Sequence, residues 1–232
     1  MTETRRQRYS VLVRVTHWIT LLAFVALLVS GVEIVISHPR FYWGEVGNVN
    51  TPSLFDLPIP SSRRMVETGY DFKLEDQNGW SRSLHFQSAW LLVLAGFLYV
   101  GTGIVNGHFR RNLLPSRTDL SRKSLWSSIK QHVRFAKPTE EASYNVLQRL
   151  TYLGVIFVLF PMVIWTGLAM SPAFVSAFPA TVEILGGQQS ARTLHFLFVI
   201  ALVLFLLVHV CMIIRAGFLK RMRAMIMGGV NE

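Results

Sequence analysis

"ARTLHFLFVIALVLFLLVHVCMII", residues 191–214, decides the fold. From Leu194 to Ile214 it carries no formal charge. About 20 apolar residues in a helix cross the hydrocarbon core of a bilayer, so the stretch reads as a membrane span. It nevertheless holds His195 and His209. Ionisable groups are costly inside a span and face the protein interior or a functional site. Fourteen residues turn an α-helix through about 1400°, roughly 40° short of four turns, and rise about 21 Å. The two histidines therefore share one face, one near each membrane surface.

The rest of the chain supplies partners for that helix. Half of its 232 residues are apolar, a composition of membrane proteins. Four spans are expected at about 15–36, 84–105, 147–170 and 194–214. The first follows Arg5, Arg6 and Arg8 but is too long for a signal peptide, and no small-x-small cleavage site follows it. The fold expected is all-α and integral to the membrane. It is a four-transmembrane-helix bundle forming a single domain over 1–232, with a long loop at 37–83 and a second at 106–146. Within the second loop, "SRKSLWSSIKQHVRFA" (121–136) has the spacing of an amphipathic helix on the membrane surface. "RAGFLKRMRAMIMGG" (215–229) reads as a basic interfacial helix continuing from the last span.

The net charge of +10 is a topology signal and not a nucleic-acid footprint. Four basic residues precede the first span, eight lie between spans two and three, and four follow span four, whereas the other two loops hold six beside seven acids. The positive-inside rule then puts both termini and the 106–146 loop in the cytoplasm. Loop 37–83 is external, and is expected to cover the outer mouth of the bundle as a docking face. The basic face also favours anionic lipid.

Orientation sorts the histidines by depth. His17 opens span one from inside, and His209 ends span four inside. His85 opens span two from outside, and His195 opens span four outside. Two levels with two imidazoles each result: His17 with His209, and His85 with His195. This suits two b-type haems, each held by one imidazole on either face of the ring, which leaves no open iron position. The single cysteine, Cys211, excludes a disulfide and a Cys zinc site, and no C-x-x-C-H motif exists for covalent haem. Gly31, Gly101 and Gly103 either leave room for a macrocycle or let helices pack closely. Arg14, Arg82 and Arg192 flank the histidines; they either bind haem propionates or mark helix ends and snorkel to headgroups. His38, His108 and His132 fall outside the spans and are not expected to bind iron. A rival reading is a non-redox anchor or a metal- or haem-handling protein, although a metal site would usually add carboxylates or thiolates.

On "RVTHW" (14–18), "SLHF" (83–86), "TLHF" (193–196) and "LVHV" (207–210), the chain resembles the di-haem cytochrome b subunits of Ni/Fe-hydrogenase and formate dehydrogenase, in the bacterial cytochrome b561-like group. "HPRFYWGEVGNVNTP", "GHFRRNLLPS", "YNVLQRLTYLGV", "GLAMSP" and "GGQQSARTLHF" resemble the thiosulfate reductase-like cytochrome b branch. The resemblance implies electron transfer in the bacterial inner membrane, between a periplasmic molybdopterin oxidoreductase, often of the sulfite oxidase type, and the quinone pool. It also implies a quinone site near the cytoplasmic haem, with Asn106, His108, Arg110, Asn145 and Gln148 as candidate contacts. Of these, Asn145 is equally an N-cap of span three.

Overall fold

A computed structural model describes residues 9–48, 50–59, 74–116, 119–133 and 146–228. Four of its helices are long and apolar enough to cross a membrane: α1 (Val11–Ser37), α2 (Leu74–Val105, apolar from Gly79), α4 (Val146–Ala169) and α7 (Gln188–Arg215). Only 6 to 22 % of each apolar window is buried within the protein. In water so little burial would leave the helices unpacked. In lipid it suffices, because each helix satisfies its backbone groups internally and hydrocarbon solvates the rest. Leu22, Val25, Phe97, Leu204 and Leu207 are accordingly exposed.

The helix ends follow local chemistry. His38–Pro39 stops α1, because the residue before proline is pushed out of the helical region. Asn106 and Gly107 stop α2, with Gly107 at φ +62°. α4 widens into a π-helical stretch at Val155–Leu159, just ahead of Pro161. A proline in a helix clashes with the carbonyl four residues earlier, here Phe157, and the wider turn accommodates it. The connections hold α3 (Arg122–Val133), α5 (Pro172–Ala177), α6 (Ala180–Glu183) and a final helix, α8 (Phe218–Met227).

Two expectations need correction. The tail helix does not continue from the last span: Gly217, at φ +95°, breaks the chain between α7 and α8. The first loop does not run to residue 83, because α2 begins at Leu74. Arg5, Arg6 and Arg8 lie outside the described residues. The described part of the loop carries a small antiparallel pair, β1 (Arg40–Phe41) and β2 (Phe55–Asp56), in which Arg40 faces Asp56 and Phe41 faces Phe55.

The chain divides into two compact units. One comprises Met1–Thr16, Leu98–Pro161 and Ile200–Glu232; the other comprises His17–Phe97 and Met162–Val199. In the second unit the loop is bonded to the start of α7. Gly44 N donates to Ser190 Oγ at 2.7 Å, and Ser190 N and Gln189 N donate back to Gly44 O at 3.2 and 3.0 Å. Thr193 Oγ1 donates to Tyr42 O at 2.7 Å. Phe41, 1 % exposed, stacks on Phe55 at 4.8 Å and packs on Phe196 at 4.4 Å. Burying such a ring contributes about 1.5–3 kcal/mol. The segment with the most turn-forming residues is thus fastened two, five and six residues ahead of His195.

Candidate functional site

In the second unit α2 presents His85 and α7 presents His195, with ring centroids 6.2 Å apart and planes at 61°. Neighbouring helices decide the protonation of both rings. The Ser30 hydroxyl of α1 lies 2.7 Å from Ala26 O and 3.0 Å from His85 Nδ1, and with its proton on the Ala26 carbonyl it accepts from the ring, as the Leu27 backbone does. The Thr166 hydroxyl of α4 likewise donates to Met162 O at 2.7 Å and faces His195 Nδ1 at 3.0 Å. His195 Nδ1 also faces Val163 O at 3.1 Å, and a carbonyl is acceptor only. The network therefore assigns a proton to Nδ1 of each ring and leaves the Nε2 lone pair for a ligand.

A metal-bound imidazole has this arrangement, donating its second N–H to a fixed acceptor. Imidazole nitrogens bind metals at about 2 Å, which puts ring centroids on opposite sides of one ion about 6 Å apart. The observed separation fits. Among the described residues, no three or more of His, Cys, Asp and Glu gather as a conventional metal site.

The other two histidines have different surroundings. His17, in the second unit, stands edge-on to Trp18 at 5.7 Å, and its buried Nδ1 has no hydrogen-bond partner among the described residues. His209, in the first unit, stacks on Phe205 at 5.6 Å and meets the edge of Tyr152 at 6.2 Å. Phe205 also lines an apolar groove of about 460 Å³ with Thr151, Gly154, Val155, Leu204 and Val208. The groove's hydroxyl, on Thr151, donates to Leu147 O and offers no chemistry.

The flanking arginines are used unequally. Arg192 donates from Nη2 to His38 O and Arg40 O and from Nη1 to Gln189 Oε1, and its guanidinium lies 5.0 Å from the centre of the Phe41 ring. Arg14 donates from Nη1 to Ile226 O at 2.6 Å, at the end of α8. Arg82 is exposed on α2.

Of the residues the resemblance nominated for quinone, Asn106, His108, Arg110 and Gln148 all fall in the first unit; Asn145 lies outside the described residues. Asn106 O accepts from Arg111 Nη2. His108 sits edge-on to Tyr99 at 6.2 Å and Phe109 at 5.7 Å, and burial pushes its pKa below the ordinary histidine value. Arg110 is exposed in the π-helical turn Phe109–Leu113, and Gln148 is half-buried. Nearby, Asp119 accepts from the Ser116 backbone N–H and lies 3.7 Å from Arg149. The Ser116 bonds, and then Arg149, hold its carboxyl below the usual range.

A family model described as prokaryotic cytochrome b561 matches residues 8–228. The chain belongs to that family. The cytochrome is 29 % identical over 205 residues to a relative from Azospira oryzae named as a protein-methionine-sulfoxide reductase subunit, YedZ1, covering 86 % of each chain. It is 25 % identical over 227 residues to one from Cupriavidus necator named as a Ni/Fe-hydrogenase B-type cytochrome subunit, covering 92 % of this chain and 80 % of the relative. No solved structure matches. Family and span content make it a multi-pass, haem b-binding membrane protein of electron transport that serves a redox partner.

Sequence reasoning did not single out Ser30, Thr166 or Gly167 of the cytochrome. Gly31 and Gly167 both face histidines: a Cβ there would stand 3.8 Å from His85 Cε1 and 3.4 Å from His195 Cε1. Gly101 has nothing within 4 Å, and Gly103 gives its space to the Phe109 ring. The missed signal was a hydroxyl residue followed by glycine on a helix other than that of the histidine it meets.

Proposed function

We propose that this cytochrome is the di-haem membrane subunit of an oxidoreductase complex. It carries electrons between an external partner, of the molybdopterin-dependent class, and the quinone pool. His85 and His195 would hold the outer haem through Nε2, and His17 and His209 the inner one. A haem held by two imidazoles exchanges single electrons and has no open position for oxygen.

The observation that carries this reading is the matched state of His85 and His195, each with Nδ1 committed to a hydroxyl of a neighbouring helix. A merely structural histidine has no need of a second imidazole 6.2 Å away with its Nδ1 held in the same way. Ser30 and Thr166 hold the ring tautomers. The fastened loop closes over the first turn of α7 and limits water at His195. Arg82 and Arg14 are offered to propionates; at Arg192 a propionate would share the guanidinium with the loop carbonyls. Asn106, His108, Arg110, Asn145 and Gln148 would line the quinone site, where a neutral His108 can donate one hydrogen bond to a quinone carbonyl. The two relatives are named as subunits of a methionine-sulfoxide reductase and a hydrogenase, which supports a redox partner for this chain as well. Both termini would face the cytoplasm of a bacterium, on the charge distribution alone.

Haem content and spectra of single alanine variants test the reading. Purified wild type should carry two b haems per chain. His85→Ala and His195→Ala should remove one spectral component, and His17→Ala and His209→Ala the other. A folded, colourless wild type would overturn the proposal, and loss of both haems in every variant would overturn the pairing.

A further inference from the structure

We infer that Ser30–Gly31 in α1 and Thr166–Gly167 in α4 are two copies of one imidazole cradle, which fixes the tautomer and rotation of His85 and His195 as haem ligands. The inference rests on the ligand reading above and names the positioning residues of that site. In each copy the hydroxyl donates to the carbonyl four residues back at 2.7 Å, and reaches the one three back at 3.2 Å for Ser30 and 3.1 Å for Thr166. In each, the same oxygen stands 3.0 Å from a histidine Nδ1 on another helix. The backbone three residues back, Leu27 or Val163, also hydrogen-bonds the ring. The glycine that follows gives up its side-chain space to the ring edge at Cε1. The two copies share nothing beyond hydroxyl–glycine ("SGVEIV" against "TGLAMS"), so the geometry is not a by-product of an internal repeat.

A third hydroxyl–glycine pair shows what the motif lacks alone. Thr102–Gly103 in α2 makes the same bonds to its own backbone, to Leu98 O and Tyr99 O. There the glycine space takes the Phe109 ring. The pair alone does not make a cradle; an imidazole must face it.

The physical effect is directional. Donation from Nδ1–H makes the imidazole a stronger base at Nε2, which favours ferric over ferrous iron and lowers the potential. Removing the hydroxyl leaves only the Leu27 or Val163 carbonyl as acceptor and weakens the effect. Redox titration and the low-spin ferric EPR spectrum of full-length protein in detergent, for Ser30→Ala, Thr166→Val, Thr166→Ser and Thr102→Val, provide the test. One haem of the two should rise in potential in Ser30→Ala and in Thr166→Val. A tenfold loss of ferric preference corresponds to about 59 mV for one electron. Thr166→Ser should restore the wild-type value, and Thr102→Val should leave both haems unchanged. If Thr166→Val purifies without the outer haem while Thr166→Ser retains it, the cradle is supported. Unchanged potentials and g-values in Ser30→Ala and Thr166→Val, with two haems bound, would overturn the cradle and leave the ligand reading standing. A wild type without haem would instead remove the ligand reading.

Discussion

Thr193 donates from Oγ1 to the backbone carbonyl of Tyr42 at 2.7 Å, and both residues are buried. This bond joins the loop after α1 to the first turns of α7, two residues ahead of His195. With the Gly44–Ser190 exchange and Arg192 on the His38 and Arg40 carbonyls, it makes the loop part of the histidine's support. A loop rich in glycine, asparagine and proline would otherwise be costly to order.

Thr193→Val keeps the shape and removes the donor. The Tyr42 carbonyl is then buried without its partner, at a cost of about 1–3 kcal/mol. The expected outcome is faster proteolytic cleavage within 38–59 and earlier thermal loss of the haem band than in wild type. Unaltered cleavage and melting would show that the bond contributes nothing to the loop's attachment.

His108 gives the cytochrome a pH dependence of known sign. Burial lowers its folded pKa below 6.5, so the unfolded chain binds the proton more readily. Its contribution is therefore unchanged at neutral and higher pH and destabilising as pH falls through about 6.5 towards the folded value. Between pH 7 and 5 the thermal midpoint of wild type should fall more than that of His108→Phe, which keeps the aromatic contacts with Tyr99 and Phe109. Equal slopes in the two proteins would remove His108 as the cause.

The spans were legible because lipid enforces them: a helix needs about 20 apolar residues to cross, which leaves few alternatives. The span estimates fell within about six residues of the helix ends except at the start of α2, which lies ten residues ahead of the expected Leu84 because polar first turns hide the helix from a hydropathy reading. The break at Gly217 was less legible, since glycine within a helical pattern is often tolerated. The roles of Ser30 and Thr166 were hidden for another reason. Serine and threonine in a span normally bond their own backbone, and only the packing of α1 on α2 and of α4 on α7 brings an imidazole against the same oxygen. Arg192 read as a propionate or headgroup anchor, but its bonds are to loop carbonyls that no spacing rule links to it.

Arg14 caps the tail helix. Its Nη1 donates to Ile226 O, and a Cβ at Gly228 would stand 3.0 Å from the guanidinium carbon. Lysine and arginine satisfy the last carbonyls of helices in this way. Arg14→Met should keep the stem and lose the bond, loosening α8 by roughly 1 kcal/mol. Amide exchange in Phe218–Met227 should accelerate several-fold, with the haem spectrum unchanged. Protection equal to wild type would assign the stability of α8 to other contacts.

Gly187 is the position where one methyl group should do most damage. Its φ is +114°, outside the range side chains adopt readily, and a Cβ would lie 2.6 Å from the backbone of Gly44 and Glu45. The conformation alone costs about 1–3 kcal/mol for a residue with a side chain. The clash adds to this, because backbone on the opposite side cannot rotate away as a side-chain tip can. Gly187→Ala should therefore pull the Gly44 turn off Ser190 and Gln189, and destabilise the His195 end of α7 more than Thr193→Val does. Gly96→Ala in α2 is the matched control: nothing lies within 4 Å of the added carbon, and alanine is the better helix former by about 1 kcal/mol. Thermal melts followed at the haem band should place Gly187→Ala well below wild type and Gly96→Ala at or above it. If the two variants melt together, the close approach of Gly187 to Gly44 does not hold the loop on the helix.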